Sequence, residues 1–492
     1  MALTLIIIYT VGLLALTGFG VHGLLMVYKY HRLRPTDPAV PTIADPAALP
    51  TVTVQLPLYN EMHVATRLLD AVCALEHPRE RLQVQVLDDS TDETTALLRE
   101  RIAHHRERGL TIEHVRRASR DGFKAGALRD ALSSATGEFV AIFDADFVPA
   151  PDFLRRTLPH LMADEGLGMV QARWDHLNRD YSLLTRLQAM GLDAHFAMEQ
   201  QVRNRARYFI NFNGTAGVWR RSCIDDAGGW HVDTLTEDLD ISYRAQLRGW
   251  RFLYLNDVTV PAELPSESTG LKTQQFRWTK GAIETARKLL GSVWRSDQSL
   301  TVKIQATSHL TANLIFPFVL LVALLNVPMV ILKGTDPSFS RWFDYLGSFL
   351  VASFTTLAFY ISAQRDLTSD WRRRMLIFPL FIAGTMGMAV SNTRAVVEAL
   401  VRRPSAFERT PKYNIVTRSD QWESSRYRSA RISAEAIIEL LIALYFVAGI
   451  ILAIALGELA VIPFQLVFLV GFGSTGVLSV RHALGKGSVA SH

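Results

Sequence analysis

The stretch Val140-Ala-Ile-Phe-Asp-Ala-Asp-Phe147 sets two carboxylates directly after a short apolar run. Residues Phe139–Phe143 contain no polar side chain, which predicts a buried β-strand. Asp144 and Asp146 follow at its end, and paired carboxylate oxygens suit a hard cation that also holds a diphosphate. The alternative is a strand-end turn with two solvated carboxylates, but the motifs elsewhere in the chain favour the cation site.

Upstream of this strand, strand-like and helix-like segments alternate. Val52–Leu56 and Leu82–Leu87 predict two more strands, which are followed by helical stretches to about Leu75 and over Asp92–Arg108. Strands that alternate with helices predict a parallel sheet covered on both faces, and ligands bind at the carboxyl ends of its strands. The chain is therefore predicted to have an α/β fold with its site at that edge of the sheet.

Candidate nucleotide contacts follow the first two predicted strands. Asp88 and Asp89 end the second strand, where a carboxylate can accept hydrogen bonds from a base or a ribose, or else cap the next helix. Tyr59 and Glu61, after the first strand, are further candidates. Lys124, in Gly122-Phe-Lys-Ala-Gly126, is a candidate diphosphate ligand because its point charge suits phosphate.

Thr236-Glu-Asp238 begins a predicted helix, Leu239–Arg248. The helix dipole stabilises a carboxylate at that end in its ionised form. Such a group can take a proton from an acceptor hydroxyl, so we predict Asp238 as the general base and Glu237 as its support. A plain helix-capping sequence is the competing interpretation.

The string Gln274-Gln-Phe-Arg-Trp278 lies on a predicted amphipathic helix, Leu271–Trp294. Gln274 and Trp278 are four residues apart and share a helix face. Arg277 can contact a phosphate at two points, and Trp278 offers a flat surface for a sugar ring. A helix at the membrane surface, with an interfacial Trp, is compatible with this function.

Ser182–Arg205 is a second predicted amphipathic segment. Further along, the polar stretch Phe407-Glu-Arg-Thr-Pro-Lys412 is predicted to be a loop. Loops of this kind can close over a bound phosphate and bring Thr410 and Lys412 to it. A basic linker that touches lipid headgroups is the alternative.

The mean hydropathy of +0.14 is high for a soluble enzyme because several apolar stretches are long enough to cross a bilayer. Five such stretches are Leu3–Tyr28, Leu310–Leu332, Phe343–Ser362, Ala434–Leu456 and Leu459–Val480. A sixth, Phe378–Leu400, is interrupted by Arg394 and Glu398 and has basic residues on both sides, which predicts an interfacial or re-entrant helix.

The first apolar stretch lacks a preceding basic residue and is followed by a basic segment that begins at Lys29. This pattern favours an uncleaved anchor over a signal peptide, with the N-terminus outside and the soluble domain in the cytosol. The protein is thus predicted to be integral to an inner or plasma membrane. We divide it into an anchor (1–34), a catalytic domain (35–267), an interfacial helix (268–305), two spans (306–365), an interfacial helix with a loop (366–432), and two spans with a tail (433–492).

Composition excludes some functions. The net charge of +5, from 52 Lys and Arg against 47 Asp and Glu, fits anionic lipid headgroups and phosphate substrates and gives no reason to invoke nucleic acid. Cys73 and Cys223 are too few for a disulfide framework or a zinc site and are predicted to be reduced core residues.

Taken in order, these motifs resemble the membrane-embedded family-2 glycosyltransferases, which include cellulose, hyaluronan and chitin synthases. The sequence is most similar to plant cellulose-synthase-like mannan and glucan synthases and their bacterial relatives. The resemblance extends from Val52 to Lys412, and further strings support it: Val86-Leu-Asp-Asp-Ser-Thr-Asp92, Phe212-Asn-Gly-Thr-Ala-Gly217 and Ala227-Gly-Gly-Trp230.

The resemblance implies an inverting transferase whose cytosolic GT-A (Rossmann-like) domain packs on an α-helical transmembrane bundle. It implies a nucleotide-sugar donor such as UDP-glucose or GDP-mannose and a Mg²⁺ or Mn²⁺ ion. By this resemblance, Asp88 and Asp89 would contact the nucleotide, Asp144 and Asp146 would contact the metal diphosphate, and Asp238 would contact the acceptor. Gln274, Gln275 and Trp278 would line the acceptor channel, with Arg277 at the diphosphate, and Phe407, Thr410 and Lys412 would form a gating loop.

The resemblance leaves the donor and the acceptor open. Thr279-Lys-Gly281 departs from the Cys-Gly-Pro string of the plant mannan synthases. The first hypothesis is a processive synthase that extends a β-1,4-linked glucan, mannan or glucomannan and passes it through its own channel, with a possible secretion partner. The second is transfer to a lipid such as ceramide or diacylglycerol, with membrane lipids as partners in either case. A non-catalytic scaffold is the third, and it predicts broken catalytic positions, which the sequence does not contain.

Overall fold

The computed structural model describes residues 2–33, 36–43, 49–336, 338, 342, 351–405, 407–417, 419–420 and 432–484. Within these residues one sheet has the strand order β3-β2-β1-β4-β6-β5-β7. Its strands are β1 Val52–Leu58, β2 Leu82–Asp88, β3 Thr111–Val115, β4 Phe139–Ile142, β5 Leu167–His176, β6 Gly217–Arg220 and β7 Arg251–Ala262. The three strands predicted from the sequence are confirmed as β1, β2 and β4.

Helices surround the sheet and continue beyond it. They are α1 Ala2–Leu33, α2 Ala65–Cys73, α3 Thr94–Glu107, α4 Phe123–Leu132, α5 Phe153–Ala163, α6 Leu183–Ala194, α7 Gln201–Arg205, α8 Arg221–Asp226, α9 Glu237–Leu247, α10 Ser268–Arg295, α11 Leu300–Leu310, α12 Ile315–Thr335, α13 Val351–Leu367, α14 Trp371–Met375, α15 Phe378–Gly387, α16 Ala389–Leu400, α17 Ala434–Ala455 and α18 Ile462–Leu484. A π-helical turn, His195–Gln200, joins α6 to α7.

The prediction of a parallel sheet is wrong at β6. Strand β1 runs parallel to β2 and β4, whereas β6 runs antiparallel to both of its neighbours, β4 and β5. The connection from β5 through α6 and α7 leaves and rejoins the sheet at its carboxyl edge, so β6 runs back from that edge. Just before β6, Gly214 and Ala216 have φ angles of +82° and +57°. Gly217 starts β6 opposite Ile142, the last residue of β4.

Residues of β4 alternate between two apolar cores. Phe139 and Ala141 pack in the core that also holds side chains of α2, α3 and α5, while Val140 and Ile142 pack with side chains of α4, α8 and α9. Successive side chains of a strand point to opposite faces, so the sheet is buried on both sides, as predicted. Both cysteines are free, and Cys223 lies in the second core.

Four helices among the described residues are long and apolar enough to cross a membrane: Ala2–Leu33, Ala312–Thr335, Ala434–Ala455 and Leu459–Arg481. They match four of the five predicted spans. The fifth, Phe343–Ser362, begins outside the described residues, and its second half belongs to α13. Helices α15 and α16 meet at a bend of 44°. A broken span and a re-entrant loop share that geometry, so the interfacial or re-entrant helix stays a prediction.

Helix α10 connects the sheet domain to the apolar helices. On one side it packs against α9, where both helices contribute to a shared core. On the other side Lys272 contacts Glu439 of α17 at 2.6 Å and Ser479 of α18 at 2.8 Å. Lys280 pairs with Glu398 of α16 at 3.3 Å. The helix with the Gln-Gln-Phe-Arg-Trp string is therefore fixed to both parts of the protein.

Candidate active site

A cavity of about 180 Å³ opens at the carboxyl edge of the sheet, between the ends of β1, β2 and β4, the start of α9, and α10. Most candidate residues from the sequence line it. They are Tyr59, Glu61, Asp89, Lys124, Asp144, Asp146, Glu237, Asp238, Gln274, Arg277, Trp278, Phe407, Thr410 and Lys412. Motifs that are far apart along the chain thus meet in one site, which we call the polar cavity.

Asp88 and Gln275 are the candidates that lie outside the lining of this cavity. The Asp88 carboxylate is buried and accepts hydrogen bonds from the Ser90 backbone N–H at 2.9 Å and from His114 Nε2 at 3.0 Å. Burial would raise the pKa of Asp88, but these hydrogen bonds outweigh burial and lower its pKa to about 2. Of the acidic pair only Asp89 lines the cavity, and Asp88 fixes the turn that follows β2.

Arginines that the sequence reasoning missed surround the nucleotide candidates. Arg117 contacts Asp89 through Nε at 3.0 Å and Nη2 at 2.5 Å. The Arg120 guanidinium lies 3.3 Å from the centroid of the Tyr59 ring. Neither arginine belongs to a motif, so no sequence signal distinguished them from other surface arginines.

Each carboxylate after β4 contacts a lysine. Lys124 Nζ lies 2.5 Å from Asp144, donates to the Gly214 carbonyl at 2.8 Å, and lies 3.7 Å from Glu237. Burial would lower the pKa of Lys124, but Asp144 and Glu237 outweigh burial and raise it. Lys412 Nζ lies 2.6 Å from Asp146. The carboxylate oxygens are thus charge-balanced, and they are ligands of the type that hard cations prefer.

Asp238 lies at the N-terminus of α9, as the sequence predicted. Its Oδ1 accepts a hydrogen bond from the Leu239 backbone N–H at 2.8 Å. Burial, with the neighbouring charge of Glu237, raises the pKa of Asp238 to about 7. A side chain at Gly214 would bring a Cβ within 3.0 Å of Asp238 Oδ2, so this glycine leaves room for the carboxylate. A carboxylate with such a pKa can exchange a proton near neutrality.

The 407–412 loop lies over the polar cavity. Phe407 stacks on Phe123 with centroids 5.7 Å apart, and the Arg277 guanidinium lies 4.3 Å from the Phe407 centroid. Arg409, which the sequence reasoning did not single out, pairs with Glu61 at 3.0 Å. Burial raises the pKa of Glu61 to about 8 even with Arg409 beside it. The loop is therefore held by contacts to three separate parts of the sheet domain and α10.

A second cavity, of about 820 Å³, continues from the first toward the apolar helices. We call it the membrane-side cavity. Asp238, Gln274 and Trp278 line both cavities, whereas Gln275 lines only this one. Its walls come from α6, α10, α12, α15 and α18, with apolar side chains such as Leu187, Phe316, Leu380 and Val470. Asp238 thus stands at the junction of a polar and a largely apolar space.

One other acidic cluster within the described residues could hold a cation. The ligand atoms of His231, Asp233 and Asp240 lie within 4.8 Å of one another. However, Lys288 Nζ already lies 3.0 Å, 2.7 Å and 2.8 Å from these three residues, and Arg244 pairs with Asp240 at 2.7 Å. Lysine side chains therefore balance the charge of this cluster, as they do at Asp144 and Asp146, but only Asp144 and Asp146 line the polar cavity.

Residues 50–281 match the family described as "Glycosyltransferase like family 2". Glucomannan 4-beta-mannosyltransferase 1 of Oryza sativa subsp. japonica is 45% identical over 276 residues, and glucomannan 4-beta-mannosyltransferase 2 of Arabidopsis thaliana is 46% identical over 251 residues. These matches cover 55% and 50% of this chain and 52% and 47% of the relatives. The chain thus spans about half the length of the curated relatives it matches.

Among solved structures, the mannosyltransferase PcManGT from Pyrobaculum calidifontis, in complex with GDP-Man and Mn²⁺, is similar to this chain with a TM-score of 0.58. The likeness covers 81% of this chain and 100% of the other, at 23% identity, which shows the fold alone. The sheet domain therefore has the GT-A fold that the motifs predicted, and residues 50–281 match a glycosyltransferase domain of family 2.

Proposed function

We propose that the protein transfers mannosyl units from a nucleotide sugar, with inversion, to the end of a β-1,4-linked mannan or glucomannan. The observation that carries this proposal is the position of Asp238, which lines both the polar cavity and the membrane-side cavity. A donor in the first space and an acceptor in the second would meet at this carboxylate. The names of the plant relatives favour mannose as the sugar and β-1,4 as the linkage.

The polar cavity fits a nucleoside diphosphate with a divalent cation. Asp144 and Asp146 offer hard oxygen ligands, and the Thr410 hydroxyl is buried without a hydrogen-bond partner in the described part of the chain. When bound there, Mg²⁺ or Mn²⁺ would neutralise charge that develops on the leaving diphosphate. Lys124 and Arg277 line the same cavity and would stabilise that charge as point and two-point partners. Tyr59 and Asp89 would contact the nucleoside.

Asp238 is the general base in this proposal. It would take the proton of the acceptor hydroxyl as that oxygen attacks the anomeric carbon of the donor. The glycosidic bond to the acceptor forms while the bond to the diphosphate breaks, so one displacement converts an α-linked donor into a β-linked product. Glu237, Gln274 and Trp278 position the reacting groups, and the 407–412 loop excludes water when it is closed.

Transfer to a lipid is the second candidate. The walls of the membrane-side cavity are largely apolar, which suits an acyl chain as well as the apolar faces of a sugar polymer. In both cases the sheet domain faces the cytosol, where nucleotide sugars are available, because basic segments follow α1 and flank α15 and α16. The N-terminus would then lie outside.

The test uses purified protein in lipid nanodiscs with Mn²⁺, given radiolabelled GDP-mannose, UDP-glucose or UDP-N-acetylglucosamine separately. We expect label from GDP-mannose in a water-insoluble product that an endo-β-1,4-mannanase digests. Asp238→Asn should lower the rate by about 10²–10⁴-fold, the range for loss of a general base. Label that partitions into organic solvent would support the lipid acceptor instead, and incorporation from UDP-glucose alone would refute the mannosyl donor.

A further inference from the structure

The π-helical turn His195–Gln200 lies in the wall of the membrane-side cavity. π-turns inserted in α-helices are rare and frequently occur at functional sites. His195, Phe196 and Glu199 of this turn line the membrane-side cavity, and none of them lines the polar cavity. The turn therefore adds ionisable side chains to a space whose other walls are largely apolar.

A directed chain of hydrogen bonds ends at Glu199. Gln200 Nε2 donates to the Asn211 carbonyl at 2.8 Å and to Asn213 Oδ1 at 2.7 Å. This fixes the orientation of the Asn213 amide, so its Nδ2 donates to His195 Nε2 at 3.1 Å. His195 must then carry its proton on Nδ1, which donates to Glu199 Oε2 at 3.1 Å.

Glu199 is the acceptor at the end of this chain. Burial would raise its pKa, but the hydrogen bond from His195, together with the nearby basic groups His309 and Arg203, outweighs burial and holds the pKa of Glu199 below its usual value. The side chain retains 26% of its exposure, and it lines the cavity. An ionised carboxylate can accept about four hydrogen bonds, so Glu199 has capacity for donors that enter the cavity.

Aromatic rings lie beside this carboxylate. The Trp174 ring centroid lies 5.1 Å from that of Phe196 and 6.3 Å from that of Trp278, and all three residues line the membrane-side cavity. Asn213 and Trp174 also line the polar cavity, as Asp238 does. A hexose presents apolar faces to rings and hydroxyl donors at its edge. Rings and an ionised acceptor therefore match its chemistry, whereas an acyl chain has no donor for Glu199.

We propose that Glu199, oriented by His195 and Asn213, binds hydroxyl groups of a sugar unit at the end of the acceptor and so sets the acceptor's position at Asp238. This inference rests on the proposed function, because it requires an acceptor that carries sugar. Glu199 is a binding residue in this scheme, and His195 is a positioning residue that acts through it.

The test compares wild type with Glu199→Gln and His195→Ala in nanodiscs. The readouts are the KM for added β-1,4-manno-oligosaccharides, the KM for GDP-mannose, and the rate of GDP-mannose hydrolysis without acceptor. We expect Glu199→Gln to raise the acceptor KM about tenfold or more, since hydrogen bonds to charged groups are the strong ones. The donor KM and hydrolysis should stay within about twofold of wild type. His195→Ala should raise the acceptor KM less, because the carboxylate remains.

Three results would overturn the inference. An unchanged acceptor KM in Glu199→Gln would remove its binding role, and a parallel fall in hydrolysis and transfer would indicate a purely structural one. Oligosaccharide binding followed by tryptophan fluorescence needs no turnover, so it tests the site separately from the reaction. If wild-type protein binds the oligosaccharide but does not extend it, the proposed function is refuted while the sugar-binding site at Glu199 stands. Protein that hydrolyses the donor and binds no oligosaccharide would refute the site.

Discussion

Gly281 offers a sharp test of how the two halves of the site are held together. It lies in α10 against the turn that leads into α9, and a Cβ there would lie 2.5 Å from Thr236 Cγ2 and 2.8 Å from the Thr236 backbone nitrogen. A new rotamer of Thr236 relieves the first contact but not the second. Ordinary contact begins at 3.4 Å, so the backbone must shift by about 0.6 Å.

Gly281→Ala therefore moves Asp238, two residues beyond Thr236, relative to Trp278 on α10. Misplacement by about 1 Å can cost about 10²-fold in rate, so we expect kcat to fall about 10- to 100-fold. Overpacking costs about 1–3 kcal/mol, part of which the gain in helix propensity offsets. The affinity for GDP should change much less than kcat, because Tyr59, Asp89 and Lys124 lie on other elements and only Arg277 lies on α10.

The assay is steady-state transfer in nanodiscs, with GDP binding measured by calorimetry. Gly291→Ala is the matched control, since it adds the same methyl group to an exposed position of α10. Its Cβ meets only Arg295 Nη2, the end of a flexible side chain, at 2.9 Å. A Gly281→Ala protein with the kcat of Gly291→Ala would refute the tight packing of α10 on this turn.

Three further predictions concern charge. Because burial and Glu237 raise the pKa of Asp238 to about 7, kcat/KM should fall as the pH drops below about 7 and the base becomes protonated. Glu237→Gln should move this acidic limb of the pH–rate profile to lower pH, and an unmoved limb would contradict Asp238 as the general base. Lys412→Met removes the ammonium group 2.6 Å from Asp146, so Mn²⁺ should bind more tightly without nucleotide, as titrated by electron paramagnetic resonance, while the KM for the donor rises. Equal Mn²⁺ affinity in the variant and the wild type would argue against Asp146 as a ligand. Asp193 is buried between His176, Arg179 and Gln364, so Asp193→Ala should lower the free energy of unfolding by about 3–5 kcal/mol. Asp226 is exposed and pairs with Arg248, so Asp226→Ala should lower it by less than about 1 kcal/mol in the same thermal unfolding experiment.

The parts of the fold that the sequence predicted are those set by local pattern. Strand β4 is a short apolar run, and β1 and β2 alternate apolar and polar residues over most of their length. The motifs after β2 and β4 stand at strand ends, so their convergence followed from sheet geometry. The direction of β6 did not follow, because it depends on where the long connection through α6 and α7 rejoins the sheet, which no periodicity encodes.

The site was predictable only where a residue type stood inside a motif. Arg120 and Arg409 line the cavity, and Arg117 contacts Asp89 beside it, through tertiary packing that has no local signal in the sequence. His195 and Glu199 lay within the predicted amphipathic segment, where a π-turn cannot be distinguished from an α-turn by spacing alone. Conversely, Asp88 shared a motif with Asp89, yet burial and His114 assign it to the framework of the turn.

The contact of Lys272 with Glu439 connects α10, which carries Trp278, to the apolar helix α17. Glu439 is fully buried, and removing one partner of such a pair costs about 3–5 kcal/mol, so α10 cannot slide freely past α17. Apolar helices adapt to bilayer thickness partly by tilting, so in the proposed function a change in thickness would move α17 and, through the Lys272–Glu439 pair, α10 with Trp278. Transfer rates should therefore vary with the acyl-chain length of the surrounding lipid, because the distance between Asp238 and an acceptor bound at Trp278 would change.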